Sequence, residues 1–187
     1  LYSFERTLKL LRDCVPWGAN GLQRLTILNQ FFYEDLGYSG NPNDFFHPDN
    51  SYLHRVMETR RGLPIALGVL WLELAHGIGL TAHGVSFPGH FLVKVQLQEG
   101  MVVQDPLTGR GLTHAQLNEY LEPYQQAWAL EEDEMAPLDM YLQPASHRDI
   151  LERMLRNLKN IHQQQDNEVQ ALAVMNRLIT LTPTAWG

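Results

Sequence analysis

The sequence predicts an α+β fold built around one buried helix and a small antiparallel sheet. Residues 64–77 are apolar almost all round, and a helix without a polar face is buried on every side. Residues 91–97 alternate apolar and polar side chains, which is the period of a strand with unequal faces. Two further β-type runs, residues 82–87 and 101–104, flank this strand.

The composition limits the classes of function. The chain has 187 residues, 44% of them hydrophobic, and a formal net charge of −7. A globular chain with this charge and no dense basic run is not expected to bind nucleic acid or an anionic membrane. Its single cysteine, Cys14, excludes an internal disulfide and a multi-cysteine zinc site. The longest apolar run is too short to span a bilayer and no signal peptide is visible, so we expect a cytoplasmic protein.

Helices and a loop come before the buried helix. Residues 1–36 show helical spacing of apolar side chains, with a break at Pro16. Residues 37–50 are rich in Gly, Asn, Asp and Pro and predict a loop. A short helix capped by Asn50 or Ser51 then leads to the central helix, because Asn and Ser oxygens accept the free N–H groups of a first turn.

The sequence marks both ends of the central helix. Pro64 suits its first turn, where a missing N–H costs no hydrogen bond. Gly77 and Gly79 suit its C-terminal end. The side chains expected to be nearly inaccessible are Leu67, Leu70, Trp71 and Leu74.

Two polar residues stand at the ends of the predicted hairpin strands. His90 opens one strand and Asp105 closes the next, with a turn near Glu99 between them. The start of one antiparallel strand neighbours the end of its partner, so we expect the two side chains within hydrogen-bond reach. A carboxylate beside an imidazole fixes its tautomer, as in a nucleophile–base–orienter triad. The same pair can equally be structural, each group satisfying the other.

Further helices follow the sheet. Thr113 and Gln116 have the capping-box spacing at the start of one helix. The acidic residues 131–134 predict an exposed linker. Ser146 then caps the first of two amphipathic helices that fill residues 146–182.

These last two helices resemble one tetratricopeptide repeat, a pair of antiparallel helices closed by a proline. The pair is expected to bury Leu155, Leu158, Leu172 and Met175. A single repeat leaves its apolar face uncovered, so the pair either packs on the rest of the protein or continues into further repeats.

Four segments together resemble a known bacterial family. They are N-S-Y-L at 50–53, R-R-G-L-P-I at 60–65, G-V-S-F-P-G-H-F at 84–91 and D-P at 105–106. In this order they resemble the SirB-type family, which joins a transglutaminase-like domain of the papain type to tetratricopeptide repeats. The resemblance implies a transglutaminase-like domain at residues 1–125 and a helical repeat at residues 146–187.

The resemblance also implies an incomplete catalytic triad. In active members of the superfamily a cysteine opens the central helix, and that place falls here at Pro64 or Ile65, neither of which is a nucleophile. His90 and Asp105 match the two remaining positions and form a residual dyad. The residues expected to bind a partner in the former catalytic cleft are Pro64, Ile65, Arg61 and Phe91.

Cys14 and Ser86 are two further candidate nucleophiles. Cys14 lies near the end of a predicted helix, where the negative pole disfavours a thiolate, and is expected to be a small buried apolar residue. Ser86 is the hydroxyl nearest in sequence to His90, but Pro88 and Gly89 interrupt the strand geometry between them.

Arg60 and Arg61 allow two interpretations. They either bind an anion near the entrance of the central helix or cap the last carbonyls of the helix before it. The histidines show no ligand spacing such as H-E-x-x-H, so neither a metal nor a cofactor is expected.

We therefore expect a non-catalytic protein-interaction or regulatory module, a pseudoenzyme that binds a protein or peptide. The alternative is an amide or ester hydrolase that uses His90 and Asp105 with water or an unrecognised nucleophile. A cleft sealed by Pro64 and Ile65 disfavours hydrolysis, and an open groove at His90 favours it. The sequence indicates no particular oligomeric state.

Overall fold

The structure, a computed structural model, describes residues 2–127 and 136–183, with side chains from residue 4 onward. Helices α1 to α4 span Tyr2–Cys14, Gly21–Asn29, Leu53–Thr59 and Pro64–Gly77. Strands β1 to β3 span Thr81–Phe87, His90–Leu97 and Gly100–Gln104. Helices α5 to α8 span His114–Ala127, Leu138–Tyr141, His147–Gln164 and Glu168–Leu181. The acidic residues 131–134, expected to form a linker, lie outside the described residues.

The first two helices confirm the helical spacing of residues 1–36. α2 begins with a capping box, in which the Asn20 side chain accepts the Gln23 N–H and the Gln23 side chain accepts the Asn20 N–H, both at 2.9 Å. A π-helical segment, Gln30–Asp35, continues α2 and leads into the loop. Phe32, buried in this segment, stacks on Tyr38 with ring centroids 4.3 Å apart.

The cap of α3 differs from the prediction. The residue before the helix is Tyr52, and its side chain makes no capping hydrogen bond. Asn50 and Ser51 are buried just ahead of it. The Asn50 amide donates to the carbonyl oxygens of Asp44 at 2.7 Å and Phe45 at 3.0 Å. Asn50 therefore ties the preceding loop together, which leaves its side chain unable to cap the helix.

Helix α4 is confirmed as the buried centre of the fold. It begins at Pro64, in the first turn as expected. The side chains predicted to be inaccessible are all buried: Leu67, Leu70, Trp71 and Leu74. Gly79 follows the helix with φ of 78°, a left-handed conformation that glycine adopts without steric cost. This turn sends the chain directly into β1.

The sheet is antiparallel with strand order β1-β2-β3. Phe87 pairs with His90 across the first turn, and Leu97 pairs with Gly100 across the second, which confirms the turn near Glu99. The register also pairs Val93 with Gln104, the last residue of β3. β3 therefore ends three residues short of the level of His90.

A pair of amides, buried Gln104 and partly buried Asn29, fixes the end of β3. The Asn29 amide donates to the Gln104 Oε1 at 3.1 Å, and the Gln104 amide donates to the Asn29 Oδ1 at 3.2 Å. The Trp71 indole N–H donates to the same Asn29 oxygen at 2.9 Å. Since buried polar groups are costly unless paired, this triangle holds α2, α4 and β3 in one arrangement.

Helices α7 and α8 form the expected antiparallel pair, but its buried face differs in part. Leu158 is buried as predicted, and Leu155 and Met175 are partly buried. Leu172, expected inside, is 62% exposed. The side chains of α8 that are buried are Ala171, Val174 and Leu178. Ala171, Val174 and Leu178 share one face of α8, and Leu172, about 100° around the helix from Ala171, lies off that face. The likeness to a tetratricopeptide repeat stays a prediction.

The helix pair packs on the rest of the protein. Ile161 of α7 belongs to the same core cluster as α4 and the sheet, and Ile150 and Met154 pack against that cluster. The Ser146 side chain accepts the Asp149 N–H at 3.1 Å, which confirms the predicted cap of α7. Among the described residues, no helix is long and apolar enough to cross a membrane.

Replacing Leu70 with alanine tests whether α4 is the centre of the core. Because Leu70 is buried in close packing, Leu70→Ala should lower the free energy of unfolding by about 2–5 kcal/mol. Leu172→Ala, the same change at an exposed site, should stay within about 0.5 kcal/mol. Urea denaturation of both variants measures the difference, and a similar loss in the two would contradict a central α4.

Candidate functional site

A cavity of about 430 Å³ opens where the N-terminus of α4, the start of β2 and one face of α7 meet. Its apolar wall comprises Phe45, Phe46, Leu63, Pro64, Ile65, Phe91, Leu92, Leu107 and Ile161. Its polar lining comprises His90, Asp105, Tyr120, Arg153, Asn157, Asn160 and Gln164. We call this cavity the α4 cleft.

Five of the six residues predicted for the site lie together in the α4 cleft. They are Pro64, Ile65, His90, Phe91 and Asp105. Pro64 and Ile65 line the wall at the helix entrance, and Ile65 is only 2% exposed. The sequence therefore identified the helix entrance and the two strand ends that form one side of the cleft.

Arg61 is the exception, because it does not line the α4 cleft. Its guanidinium donates to the carbonyl oxygens of Gly37 and Arg60, both at 2.9 Å. Arg60 has φ of 60°, so the backbone turns at this point and Arg61 is exposed. Arg61 thus fastens the loop to the end of α3, which agrees with the capping interpretation rather than with partner binding in the cleft.

His90 and Asp105 line the same cleft, but no hydrogen bond joins them. The Asp105 carboxylate instead accepts the Leu107 N–H at 2.9 Å and the Thr108 hydroxyl at 3.4 Å. The reason is the strand register: because Val93 pairs with the residue before Asp105, His90 lies farther along the sheet edge. The hydrogen-bonded dyad predicted from the hairpin is therefore absent.

The His90 imidazole stacks on the Tyr120 ring of α5, with centroids 4.3 Å apart and planes inclined by 16°. Loss of solvent around the ring lowers the pKa of His90 below its ordinary value. The positive charge of Arg153 lowers that pKa further, and the negative charge of Asp105 opposes the shift. His90 is therefore held toward its neutral form.

Arg153 is a residue of the site that the sequence analysis missed. Its Nη1 donates to the Ser86 hydroxyl at 3.1 Å and to the Phe87 carbonyl at 3.2 Å. These bonds join α7 to the end of β1 and place the guanidinium at the cleft. Ser86 itself does not line the cleft, so the geometry gives it no role there as a nucleophile.

Three amide side chains were also missed: Asn157, Asn160 and Gln164. They line the cleft from α7, and among the described residues none of them makes a side-chain hydrogen bond. Their spacing, with Arg153, follows one face of a helix, and this polar stripe is visible in the sequence. The sequence analysis did not assign this stripe to the site, because the sequence does not indicate that this face of α7 lies against His90.

Cys14 was expected to be buried and is instead exposed at the end of α1. α1 ends there and the chain turns away, so the thiol has no apolar surroundings. Cys14 does not line the cleft, and neither does any Cys, Ser or Thr side chain of the described part of the chain.

Within the described part of the chain, no three His, Cys, Asp or Glu side chains converge as a metal site would require.

The charges around His90 can be tested by titration. Arg153→Gln removes a nearby positive charge and should raise the pKa of His90, whereas Asp105→Asn removes a negative charge and should lower it. Proton NMR of the imidazole ring against pH measures both shifts. Arg177→Gln, an exposed change on α8, should leave the pKa of His90 where it is in the wild type. Shifts of the opposite sign would contradict the arrangement.

Comparisons with known proteins agree with this architecture. The family model described as the transglutaminase-like superfamily matches residues 3–156. A UPF0162 protein of Xylella fastidiosa is 38% identical over 161 residues, which cover 86% of this chain and 56% of that protein. A UPF0162 protein of Pseudomonas aeruginosa is 32% identical over 166 residues, covering 88% and 56%.

A shorter similarity reaches beyond bacteria. F-box only protein 21 of Mus musculus is 36% identical over 72 residues, which cover 38% of this chain and 12% of that protein. No solved structure matches the chain. The chain spans 56% of the length of the bacterial relatives given above. From the match over residues 3–156, the chain belongs to the transglutaminase-like superfamily.

Proposed function

We propose that this chain is a non-catalytic binding module that holds a peptide segment of a partner protein in the α4 cleft. The observation that carries the proposal is the entrance of α4. By the family resemblance, Pro64 and Ile65 correspond to the place where a transglutaminase-like enzyme carries its cysteine, and both residues line the cleft. A proline and a buried isoleucine cannot attack a carbonyl group, so the covalent step of the superfamily has no nucleophile here.

The rest of the former triad also supports binding rather than turnover. The Asp105 carboxylate is engaged by the turn that follows β3, and it does not orient the imidazole. An imidazole without an orienting partner lacks the third group of the triad arrangement. His90 instead stacks flat on Tyr120, as an aromatic wall of a binding site would.

The lining of the cleft fits a peptide. The side chains of Asn157, Asn160 and Gln164 offer both donors and acceptors, which is what a peptide backbone requires. Phe45 and Phe46, from the loop before α3, add exposed aromatic surface to the lining. A volume of about 430 Å³ lies within the usual range of ligand sites. Because α7 supplies the amides, we propose that the helix pair belongs to the binding surface.

One observation favours a second candidate, hydrolysis of an amide or ester by activated water. The lowered pKa keeps His90 neutral near pH 7, as a general base must be. Pro64 and Ile65 line the cleft without closing it. The lack of a hydrogen bond between His90 and the Asp105 carboxylate argues against hydrolysis.

Blocking the cleft should abolish peptide binding. Asn157→Trp places a large side chain in the α4 cleft, whereas Asn176→Trp makes the same change on the exposed face of α8. A random peptide display library selected on the wild-type protein should yield binders that Asn157→Trp loses and Asn176→Trp retains. Fluorescence anisotropy of the selected peptides measures the affinities. Equal binding by both variants would place the peptide elsewhere on the protein.

The same peptides separate binding from hydrolysis. After long incubation with the wild-type protein they should remain intact by mass spectrometry. Cleavage that disappears in His90→Ala would overturn the non-catalytic proposal and establish the hydrolase.

The lost nucleophile can be restored as a further test. Pro64→Cys, made in a Cys14→Ser background, puts a thiol in the first turn of α4, where the helix dipole favours a thiolate. Iodoacetamide near neutral pH should label this cysteine faster than it labels exposed Cys14 of the wild type. Slower labelling would mean that the α4 entrance no longer has the electrostatics of a catalytic site.

A further inference from the structure

Arg153 is held in place by hydrogen bonds, and no carboxylate of the described residues forms an ion pair with it. Both of its hydrogen bonds to the protein come from Nη1, which donates to Ser86 and Phe87. Its Nε and Nη2 donate to no residue of the described part of the chain. The guanidinium is therefore fixed through Nη1, and within the described residues its other two nitrogens have no hydrogen-bond acceptor.

The described carboxylates near Arg153 on α7 are already engaged. Asp149 accepts the backbone N–H and hydroxyl of Ser146, and Glu152 forms an ion pair with Arg156 at 2.6 Å. No ion pair within residues 2–127 and 136–183 includes Arg153. A partly buried cation without a counter-ion is costly, and burial lowers the pKa of Arg153 from its ordinary value.

The other charged groups of the cleft do not neutralise Arg153. Asp105 lines the same cavity, but its carboxylate is turned to the N–H of Leu107 and the hydroxyl of Thr108. His90 faces the cleft as an imidazole held toward its neutral form, so it adds no competing positive charge. Asn157, one helical turn from Arg153, supplies an amide donor beside the guanidinium.

We infer that the α4 cleft recognises a carboxylate of the bound peptide, and that Arg153 is the group that binds it. A guanidinium matches a carboxylate through parallel N–H donors, and such charge-assisted bonds are shorter and stronger than neutral ones. The inference rests on the proposed function, which it deepens by naming the chemistry of the ligand. The carboxylate can be the C-terminus of the peptide or an Asp or Glu side chain.

Three small probes distinguish these sources in the intact protein. They are N-acetyl-Leu-Ala with a free carboxylate, the same dipeptide as its amide, and N-acetyl-Leu-Glu amide. Proton–nitrogen NMR of ¹⁵N-labelled protein follows the Nε–H signal of Arg153 and the amide signals of Asn157. Arg153→Gln assigns the arginine signal by its disappearance.

We expect at least one carboxylate probe to shift the Arg153 signal and to bind more tightly than the neutral amide. A shift with the free C-terminus assigns the chain end, and a shift with the glutamyl probe assigns a side chain. Equal shifts of the cleft signals by all three probes would overturn the carboxylate inference and leave peptide binding intact. If no probe moves any cleft signal, peptide binding in this cleft fails together with the inference.

Variants give the second test. Arg153→Gln should weaken the carboxylate probe about tenfold, the loss expected when a charge-assisted hydrogen bond is removed. Arg153→Lys keeps the charge without the fork geometry and should retain part of the affinity. Arg177→Gln, which removes the same charge from the exposed face of α8, should change nothing. Because Arg153 also joins α7 to β1, thermal melts check that each variant is folded. The comparison of the three probes uses the wild-type protein and does not depend on any variant.

The chain's own acidic residues 131–134 provide the last control. Neutralising them as Glu131→Gln, Glu132→Gln, Asp133→Asn and Glu134→Gln should leave the affinity for the carboxylate probe unchanged. A large gain in affinity, together with a shifted Arg153 signal, would mean that the guanidinium pairs within the chain. That result would overturn the assignment of the site to a partner.

Discussion

The fit of Phe91 between two glycines is the constraint on which the site depends. A Cβ atom added at Gly68 of α4 would lie 2.6 Å from the Phe91 ring, and one added at Gly84 of β1 would lie 2.7 Å from it. Real Cβ atoms do not approach this closely, so any larger residue would separate the helix from the sheet. This packing sets the start of β2 against the first half of α4. It thereby brings His90 and the entrance at Pro64 into one cleft.

Helix α7 completes the site that this packing begins. Ile161 enters the central core, while the polar side chains of the same helix line the cleft. Arg153 links the two roles, because it bonds the end of β1 and also lines the cleft. The shape of the cleft therefore depends on the position of α7. A displacement of the α7–α8 pair should change that shape. Apolar burial fixes α7 and thereby sets the position of its polar stripe in the cleft.

The chain belongs to the transglutaminase-like superfamily, and among the described residues that line the α4 cleft there is no Cys, Ser or Thr. The entrance of α4 at Pro64 and Ile65 lines one cleft together with His90 and Asp105. No hydrogen bond joins the imidazole to the carboxylate. Asp105 instead stabilises its own turn, and His90 packs on Tyr120. In our proposal, this arrangement binds a partner and does not catalyse a reaction.

The sequence by itself determined the elements and half of the cleft. The apolar run from Pro64 fixed α4, strand periodicity fixed the hairpin, and the motif residues identified Pro64, Ile65, His90 and Phe91 as neighbours. Only the tertiary structure decided the register of the strands and which face of each helix packs against the rest of the protein. A hairpin predicted from turn position does not reveal its register, so the separation of His90 from Asp105 was missed. A helical period also does not indicate which stripe of side chains faces inward. For this reason Leu172 was wrongly predicted to be buried, and Arg153 was not predicted to line the cleft. Local periodicity follows from backbone geometry, whereas register and facing depend on packing against elements distant in sequence.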